Sequence, residues 1–314
     1  MIGYILRRLL QSILVVLVVT IIVFILLHQL PGGAARAILG PRATAAQIAE
    51  FNAQNGYNQP LFIQYFRQLG QWLTGNFGFS IKLNQSVSSL LVQRMPKTII
   101  LGLLSLLLTV IVAIPVGIYQ AVRRNKSFDY IATALSFIFY AAPTFFIGLI
   151  MIEIFSQNLG WFPPEAPQSD GIGPIFEQFD AMVLPIVTLA LLSIAGFSRY
   201  MRSSVLDNID QDYVRTARAK GAPPQRVLYH HVLRNALIPI ITLLGLSLPA
   251  LFAGALITES IFNFPGMGLL FWQAAQASDY PVELGVVIIT AFATVAGNLL
   301  ADISLAVIDP RVKL

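Results

Sequence analysis

The chain has 314 residues, of which 56% are hydrophobic and only 11% are charged, and its mean hydropathy is +0.72. Soluble domains carry about 25% charged residues, so this composition excludes an ordinary soluble protein and indicates a membrane protein. The absence of cysteine excludes disulfides, thiolate metal sites and a cysteine nucleophile, while the distribution of the net charge of +5 fits membrane topology better than nucleic-acid binding.

Six apolar stretches are long enough to cross about 30 Å of hydrocarbon as helices, which takes about 20 residues each. They predict an all-α integral membrane protein, because helices satisfy their own backbone hydrogen bonds in lipid. The predicted spans are Leu9–Leu30, Thr98–Val122, Ile131–Ser156, Ala181–Met201, Leu237–Thr258 and Val282–Ile308. The first is longer than the apolar core of a signal peptide, so we expect it to be retained.

The first outer loop, 31–97, is predicted to be structured. Thr44 and Gln47 fit a capping box that opens a short helix ending near Asn55-Gly56. Pro60 fits the first position of a second helix, which leads to a turn at 75–78 and then to a helix over Ser86–Met95. One face of the second helix is predicted to be apolar, and its members are Phe62, Tyr65, Phe66, Leu69 and Trp72. Such a stripe either packs on the bundle or lies in the membrane interface.

Basic residues predict the orientation of the spans. With both termini in the cytoplasm, most of the 20 basic residues lie inside, and the outer loops at 157–180 and 259–281 contain none. The exceptions belong to the first outer loop, and loops of that length translocate largely regardless of charge. They are Arg36, Arg42, Arg67, Lys82, Arg94 and Lys97.

The cytoplasmic segment 202–236 is charged and contains glycine and proline residues that interrupt helices. Asp212 is predicted to cap a short helix over Tyr213–Lys220, which Gly221 would end in a left-handed conformation. Pro223 and Pro224 prevent its continuation, and Pro224 can open a second helix. The predicted packing face consists of Leu206, Ile209, Tyr213 and Ala217, whereas Arg215, Arg218 and Lys220 fill no core. These residues alone leave open a helix that rests on anionic lipid and a helix that docks another protein.

The fifth span contains residues that permit kinks or close helix approach. The candidates for lining or gating a passage are Gly245, Pro249, Gly254 and Glu259, and plain helix packing is the alternative.

Polar groups elsewhere in the spans form no recognisable reactive set. Glu153 and Asp302 are embedded acidic residues near a membrane face, where snorkelling or a local partner suffices. His28, His230 and His231 form no metal or acid–base constellation, so we predict no catalytic, cofactor or metal site.

Several different short motifs follow one another along the whole chain. They are Tyr4-Ile5-Leu6-Arg7-Arg8-Leu9-Leu10, Leu30-Pro31-Gly32, Gln59-Pro60-Leu61, Gly75-Asn76-Phe77-Gly78-Phe79-Ser80, Arg94-Met95-Pro96-Lys97-Thr98, Glu259-Ser260-Ile261-Phe262-Asn263-Phe264-Pro265-Gly266-Met267-Gly268 and Asp309-Pro310-Arg311. In this order they resemble the B-type permease subunits of ABC-type dipeptide and oligopeptide importers.

The cytoplasmic segment, with Ala217-x-x-x-Gly221 and Asn235-Ala236-Leu237-Ile238-Pro239, is similar to the "EAA" coupling loop of these permeases. Two positions depart from the general pattern. Arg215-Thr216-Ala217 stands where the pattern has Glu-Ala-Ala, and His231-Val232-Leu233-Arg234 where it has Ile-x-Leu-Pro. The resemblance therefore carries no glutamate contact to this chain.

The resemblance implies a single permease domain over 1–314, with six transmembrane helices of the type I importer kind, in a prokaryotic inner or plasma membrane. It implies a related C-type permease, two ABC ATPase subunits that bind ATP and Mg, an extracytoplasmic substrate-binding protein and surrounding lipid, but no nucleic acid. The ATPase-coupling residues would be Tyr213, Arg215, Ala217, Arg218, Lys220 and Gly221.

The implied substrates are dipeptides or oligopeptides, with nickel, glutathione and oligosaccharides as alternatives. The chain contains no Gly-x-x-x-x-Gly-Lys-Ser/Thr motif, so ATP hydrolysis is expected on a partner and no enzymatic activity on this chain. A secondary carrier would more often show internal repeats and ionisable groups at the midplane. A membrane enzyme would need convergent reactive side chains. The sequence shows neither pattern convincingly.

Overall fold

The computed structural model describes residues 2–29, 33–40 and 42–308, a part of the chain that helices dominate. In chain order the elements are α1 (Ile2–Gln29), α2 (Gly33–Leu39), α3 (Ala45–Asn55), α4 (Leu61–Leu73), β1 (Phe79–Ser80), β2 (Gln85–Ser86), α5 (Val87–Val122), α6 (Ser127–Ala141), α7 (Thr144–Met151), π1 (Ile152–Asn158), α8 (Gly173–Glu177), α9 (Phe179–Ile209), α10 (Asp212–Ala219), α11 (Pro224–Arg226), π2 (Val227–Val232), α12 (Leu233–Ala236), α13 (Ile238–Ser247), α14 (Ala250–Ala253), α15 (Leu256–Ile261), α16 (Met267–Ala277) and α17 (Tyr280–Ile308). The strands β1 and β2 form an antiparallel hairpin. The described residues thus confirm a predominantly α-helical membrane protein.

Four helices in the described residues are long and apolar enough to cross a membrane. They are Leu6–Gln29, Val87–Val122, Phe179–Ile209 and Tyr280–Ala301. Two bent helix pairs, which cover 127–158 and 224–252, raise the number to six if each pair forms one span. The described chain therefore contains four to six candidate spans, at the positions of the predicted apolar stretches.

The predicted third span, Ile131–Ser156, is not one straight helix. The chain bends by 108° between α6 and the helical run that begins at Thr144. Pro143 has no N–H to continue the helix and disfavours helical geometry in the residue before it. Ala142 is accordingly extended, with φ −73° and ψ 133°. The apolar composition of the stretch concealed this break.

The predicted fifth span over Leu237–Thr258 is divided into α13, α14 and α15. It is bent by 43° relative to the helical run before it. Pro249 begins α14, and Gly254 ends it with φ +80°, a conformation that favours glycine. Pro249 and Gly254 therefore interrupt the helix, as residues that permit kinks were predicted to do. Gly245 instead lies within α13.

The centre of the bundle is the extensive contact between α5 and α9. Gly117 permits this contact, because a Cβ atom there would lie 2.6 Å from both the Ser198 carbonyl oxygen and the Met201 Cβ. Small residues allow helix backbones to approach closely in this way in membrane proteins. The pair fixes the framework to which the inner and outer short helices attach.

The outer loop confirms the predicted helix signals. Thr44 and Gln47 form a capping box, and Gly56 ends α3 with φ +73°. Helix α4 begins one residue later than predicted, because Pro60 is its N-cap rather than its first residue.

The predicted apolar stripe on α4 divides between two environments. Tyr65 and Trp72 are buried in a cluster with Val23, Phe24 and Ile288, so α4 packs on α1 and α17. Phe62 and Phe66 remain exposed in this chain. Packing on the bundle therefore accounts for one edge of the stripe.

Candidate functional site

Helix α10 is the short helix that the sequence predicts between the fourth and fifth apolar stretches, shifted by one residue. Gln211, not Asp212, is the N-cap, and Asp212 occupies the first turn, where its charge suits the positive helix end. The helix stops at Ala219, with Lys220 as its C-cap and Gly221 at φ +79°. Gly221 thus takes the predicted left-handed conformation, and Pro224 opens α11 as predicted.

The buried face of α10 differs from the predicted one. Val214 is 0% exposed and Ala217 is 8% exposed, and both join the apolar cluster that includes Val205 and Val232. Tyr213 points to the surface instead, where its hydroxyl donates a 2.8 Å hydrogen bond to Asn208 Oδ1. Val214 was the residue missed. Its i,i+3 spacing to Ala217 was the available signal.

The outward face of α10 is basic. Arg215, Arg218 and Lys220 are all exposed, and Arg215 approaches Asp212 at 3.5 Å in a fully solvated pair. Such exposed pairs add little stability, so these cations remain available to a partner. A cavity of about 340 Å³ with mostly apolar walls opens beside them, lined by Val122, Ile209, Arg218, Ala222, Pro224, Gln225, Val227, Leu228 and Val232.

The chain returns from α10 to the bundle through π2. Its residues Val227 and Val232 are buried in the same cluster as Val214. His230 and His231 meet edge to face, with ring centres 5.2 Å apart. In the described part of the chain, no three His, Asp or Glu side chains are grouped as metal ligands would be. The sequence did not predict the π-helical geometry, which often marks functional segments.

Two further contacts join the helices around this assembly. Arg202 donates to both carboxylate oxygens of Asp129, at 2.7 and 2.8 Å, and so joins α9 to the start of α6. Ser204 Oγ donates a 2.8 Å bond to the carbonyl of Ala236, which joins α9 to α12. These bonds join α9 to α6 and to α12, the helix into which π2 continues.

The outer end of the fifth candidate span holds a second organised site around Glu259. This carboxylate is 0% exposed. Its Oε1 accepts from Thr98 Oγ1 at 3.0 Å and from the Ala255 N–H at 3.2 Å, and its Oε2 accepts from the Leu269 N–H at 3.0 Å. Thr98 in turn accepts a 2.8 Å bond from the Met267 N–H.

These bonds cap the N-terminus of α16. The first N–H groups of a helix have no partner within the helix, and the positive end of the helix dipole favours an anion. Gly268 lets the start of α16 lie close to the start of α15, because a Cβ atom at position 268 would lie 2.6 Å from Leu256 Cα. One carboxylate therefore connects α5, α15 and α16.

A cavity of about 430 Å³ lies directly inward of this cap. Its lining comes from α5, α9 and the broken fifth span, and consists of Thr98, Leu101, Gly102, Ser105, Leu106, Leu189, Ser193, Leu246, Ser247, Ala250, Leu251, Gly254, Ala255 and Glu259. The structure thus brings together two of the predicted passage residues, Gly254 and Glu259. Pro249 packs against Gly297 instead, since a Cβ atom at position 297 would lie 3.3 Å from Pro249 Cα. Gly245 does not line this cavity.

The other polar residues named from the sequence lie elsewhere. His28 Nε2 is 2.8 Å from Gln64 Oε1 and fastens α4 to α1. Glu153 is exposed on π1. The side chain of Asp302 and the motifs Leu30-Pro31-Gly32 and Asp309-Pro310-Arg311 lie outside the described residues.

Comparison with solved structures gives the fold. The inward-facing MetNI methionine ABC transporter matches with a TM-score of 0.52 and 19% identity, over 68% of this chain and 95% of that chain. At this identity the likeness concerns the helical fold alone.

Curated relatives match over nearly their whole length. The oligopeptide transport system permease protein AppB of Bacillus subtilis (strain 168) is 41% identical over 315 residues, which cover 100% of both proteins. A putative peptide permease protein of Brucella suis is 38% identical over 319 residues, 100% of this chain and 99% of that protein. The glutathione transport system permease protein GsiC of Salmonella paratyphi A is 36% identical over 313 residues, which cover 100% of this chain and 99% of that protein.

Two family descriptions cover most of the sequence. Residues 1–102 match "Binding-prot-dependent transport system membrane comp, N-term", and residues 113–314 match "Binding-protein-dependent transport system inner membrane component". The second match alone spans more than half of the chain. The chain therefore belongs to the inner membrane components of binding-protein-dependent transport systems, and it is a permease subunit of an ABC-type importer.

Proposed function

We propose that this permease imports oligopeptides or dipeptides. The observation that carries the proposal is the 41% identity to the Bacillus subtilis oligopeptide permease over the whole of both proteins. The cavity inward of Glu259 fits such a substrate, because its wall combines apolar side chains with the hydroxyls of Ser105, Ser193 and Ser247. Hydroxyls donate and accept hydrogen bonds, so they suit a peptide backbone without selecting its side chains.

Helix α10 is the proposed coupling element. A groove on an ATPase subunit would receive its exposed face, with Tyr213, Arg215, Arg218 and Lys220 as contacts and Gly221 as the rigid end of the helix. Ala217 faces the core, so its role is to hold the helix on the bundle rather than to touch the partner. The 340 Å³ cavity beside Arg218 would accept an apolar side chain of the ATPase.

The proposed assembly contains this chain, one related permease, two ATPase subunits and an extracytoplasmic binding protein. Six spans would cross a prokaryotic inner membrane with both termini in the cytoplasm, so that α2 to β2 lie outside and α10 lies inside. ATP and Mg would bind the ATPase subunits, and this chain would carry no catalytic activity. Gly254 and Glu259 would lie in the passage or its outer gate, and Gly245 and Pro249 would permit its bending.

Reconstitution of the assembly in vesicles tests this function. Labelled peptide uptake and ATP hydrolysis are measured together, for the native chain and for Gly221→Val and Gly221→Asn. Valine is strongly disfavoured at φ +79°, at roughly 1–2 kcal/mol, whereas asparagine tolerates this conformation. A Cβ atom at position 221 would have no neighbouring atom within 4 Å. The two variants therefore differ in backbone strain and not in steric clashes.

We expect Gly221→Val to hydrolyse ATP with little uptake, and Gly221→Asn to transport at close to the native rate. Native uptake by Gly221→Val, in complexes that assemble normally, would contradict the coupling role of α10. Absence of peptide uptake by the native assembly would contradict the peptide proposal itself.

A second candidate substrate is glutathione, which the 36% identity to GsiC over the whole chain favours. Competition separates the two candidates. Unlabelled glutathione in excess should leave oligopeptide uptake unchanged if peptides are the substrate, and should suppress it if glutathione is preferred.

A further inference from the structure

Arg199 on α9 occupies an unusual environment for a charged residue in a candidate span. Its guanidinium carbon lies 4.6 Å from the ring centre of Tyr140 and 5.4 Å from that of Phe137. Its Nε is buried and has no hydrogen-bond partner. Among the described residues, no carboxylate pairs with Arg199, in contrast to Arg202 with its bidentate bonds to Asp129.

The guanidinium of Arg199 points away from the inner end of the bundle. Helix α6 leaves the loop after α5 and α9 returns toward the same end, so the two helices run in opposite directions. Arg202 contacts Asp129 near the start of α6, whereas Tyr140 lies eleven residues further along, about 16 Å at 1.5 Å per residue. A snorkelling arginine would extend toward the nearer membrane surface instead. The guanidinium of Arg199 therefore lies further from the start of α6 than that of Arg202, beside the candidate span α9.

This charge also faces an open surface of the chain. Phe137 is 56% exposed and Tyr140 is 62% exposed. Charged groups within a membrane span almost always face a bundle interior or a water-filled cavity, because hydrocarbon does not solvate them. The surface that carries Arg199 is therefore unsuited to contact with lipid.

A row of residues on α9 connects Arg199 with the 430 Å³ cavity. Ser193, Gly196 and Arg199 follow one another at intervals of three, which makes them neighbours on the helix surface. Ser193 lines the cavity, and a Cβ atom at Gly196 would meet nothing within 4 Å. The helix surface at Gly196 is therefore open, between Ser193 in the cavity wall and Arg199.

We propose that Arg199, oriented by the rings of Phe137 and Tyr140, binds the carboxylate of a peptide in the wall of the translocation passage. This inference rests on the proposed peptide import. The aromatic rings hold the guanidinium by cation–π contact, which leaves its terminal N–H groups to donate to a carboxylate. The site is distinct from the coupling helix and from the Glu259 cap, and it would favour substrates that carry a free C-terminal carboxylate.

Cysteine accessibility tests the location of Arg199. The chain contains no cysteine, so Arg199→Cys, Gly196→Cys and Ala195→Cys each introduce a single thiol. In the full complex, we expect a membrane-impermeant methanethiosulfonate to modify positions 199 and 196. Ala195 is 2% exposed and is the matched buried control. An unreactive Arg199→Cys in a complex whose native form transports would place the residue against lipid or a subunit, and would overturn the proposal.

Substrate chemistry tests the ligand. Uptake of trialanine and of its C-terminal amide is measured with the same binding protein, saturated with each peptide, for the native chain, Arg199→Gln and Arg199→Lys. Loss of a charge-assisted hydrogen bond predicts about a tenfold fall in trialanine uptake for Arg199→Gln. We expect less than a twofold fall for the amide, and an intermediate effect of lysine.

Equal falls for trialanine and its amide would overturn carboxylate binding while leaving peptide import intact. If the native complex transports neither peptide, the proposed function fails instead. The thiol reaction then still decides whether Arg199 faces water, because it needs an assembled complex but no transport.

Discussion

The inner assembly around α10 and the outer junction around Glu259 both attach a short helix to the end of a span, but different forces hold them. Val214 and Ala217 anchor α10 by apolar packing. Glu259 and Thr98 anchor α16 by directional hydrogen bonds to its first N–H groups. Apolar contact is non-directional, so the attachment of α10 does not depend on the geometry of single bonds. The hydrogen bonds around Glu259 and Thr98 need a fixed geometry, so they break together when α15 and α16 move apart.

This difference fits the positions of the two sites in a transporter. A coupling helix must follow the movement of a partner, and packed surfaces can slide while they remain buried. The Glu259 cap joins three elements, α5, α15 and α16, in one arrangement next to the cavity. Buried polar networks of this kind stabilise one conformation when they are complete and destabilise it when a member is lost.

Removal of the charge at Glu259 should have the largest effect. In Glu259→Gln the new amide places an N–H₂ group among N–H and O–H donors, so at least one donor loses its acceptor. We expect a loss of about 3 kcal/mol in stability and near-complete loss of uptake. Thermal unfolding of the purified complex and peptide uptake in vesicles measure the two effects.

Glu165→Gln is the matched control for the outer face. Glu165 is exposed and contacts Asn263 Nδ2 at 3.3 Å, so its neutralisation should change stability by less than 0.5 kcal/mol, within the range of about ±0.5 kcal/mol of surface substitutions. Equal melting temperatures for both variants and the native complex would show that the cap adds no stability.

Truncation of the inner anchor should have an intermediate effect. Val214→Ala removes buried methyl groups and should destabilise the attachment of α10 by about 1–2 kcal/mol. Because packing is non-directional, Val214→Ile should retain most of the coupling, whereas no conservative replacement should rescue Glu259. The ratio of peptide uptake to ATP hydrolysis measures coupling, and faster hydrogen exchange in α10 reports its detachment.

Val92→Ala is the matched control, since Val92 on α5 is 74% exposed and loses the same methyl groups away from α10. Coupling in Val214→Ala that matches that of Val92→Ala would mean that α10 is held mainly by its partner. The anchoring role assigned to the apolar cluster would then be wrong.

Local signals in the sequence predicted local structure well. The capping box at Thr44, the left-handed Gly221 and the helix opening at Pro224 all depend on a few neighbouring residues, and the structure confirms them. The packing face of α10 failed by one residue, at Tyr213 instead of Val214, because a short helix offers few turns from which to read its phase.

Long-range partners were beyond prediction from one sequence. Thr98 and Glu259 are 161 positions apart, and nothing in the apolar pattern indicates that they meet. The orientation of Arg199 likewise depends on how α6 and α9 cross. The break before Pro143 was available from sequence, since proline restricts the residue before it, but the apolar composition outweighed that signal.

The smallest effect is expected far from both sites, at the cap of α3 in the outer loop. Thr44→Ala removes the hydroxyl that accepts from the Gln47 N–H at 3.3 Å, which should destabilise α3 by about 1 kcal/mol. Thr44→Ser retains the hydroxyl and is the control. Hydrogen exchange in α3 should accelerate in the alanine variant alone, while uptake and the melting temperature of the complex stay native. A fall in uptake would instead show that the outer loop is mechanically joined to the passage, and that the division into two sites is too simple.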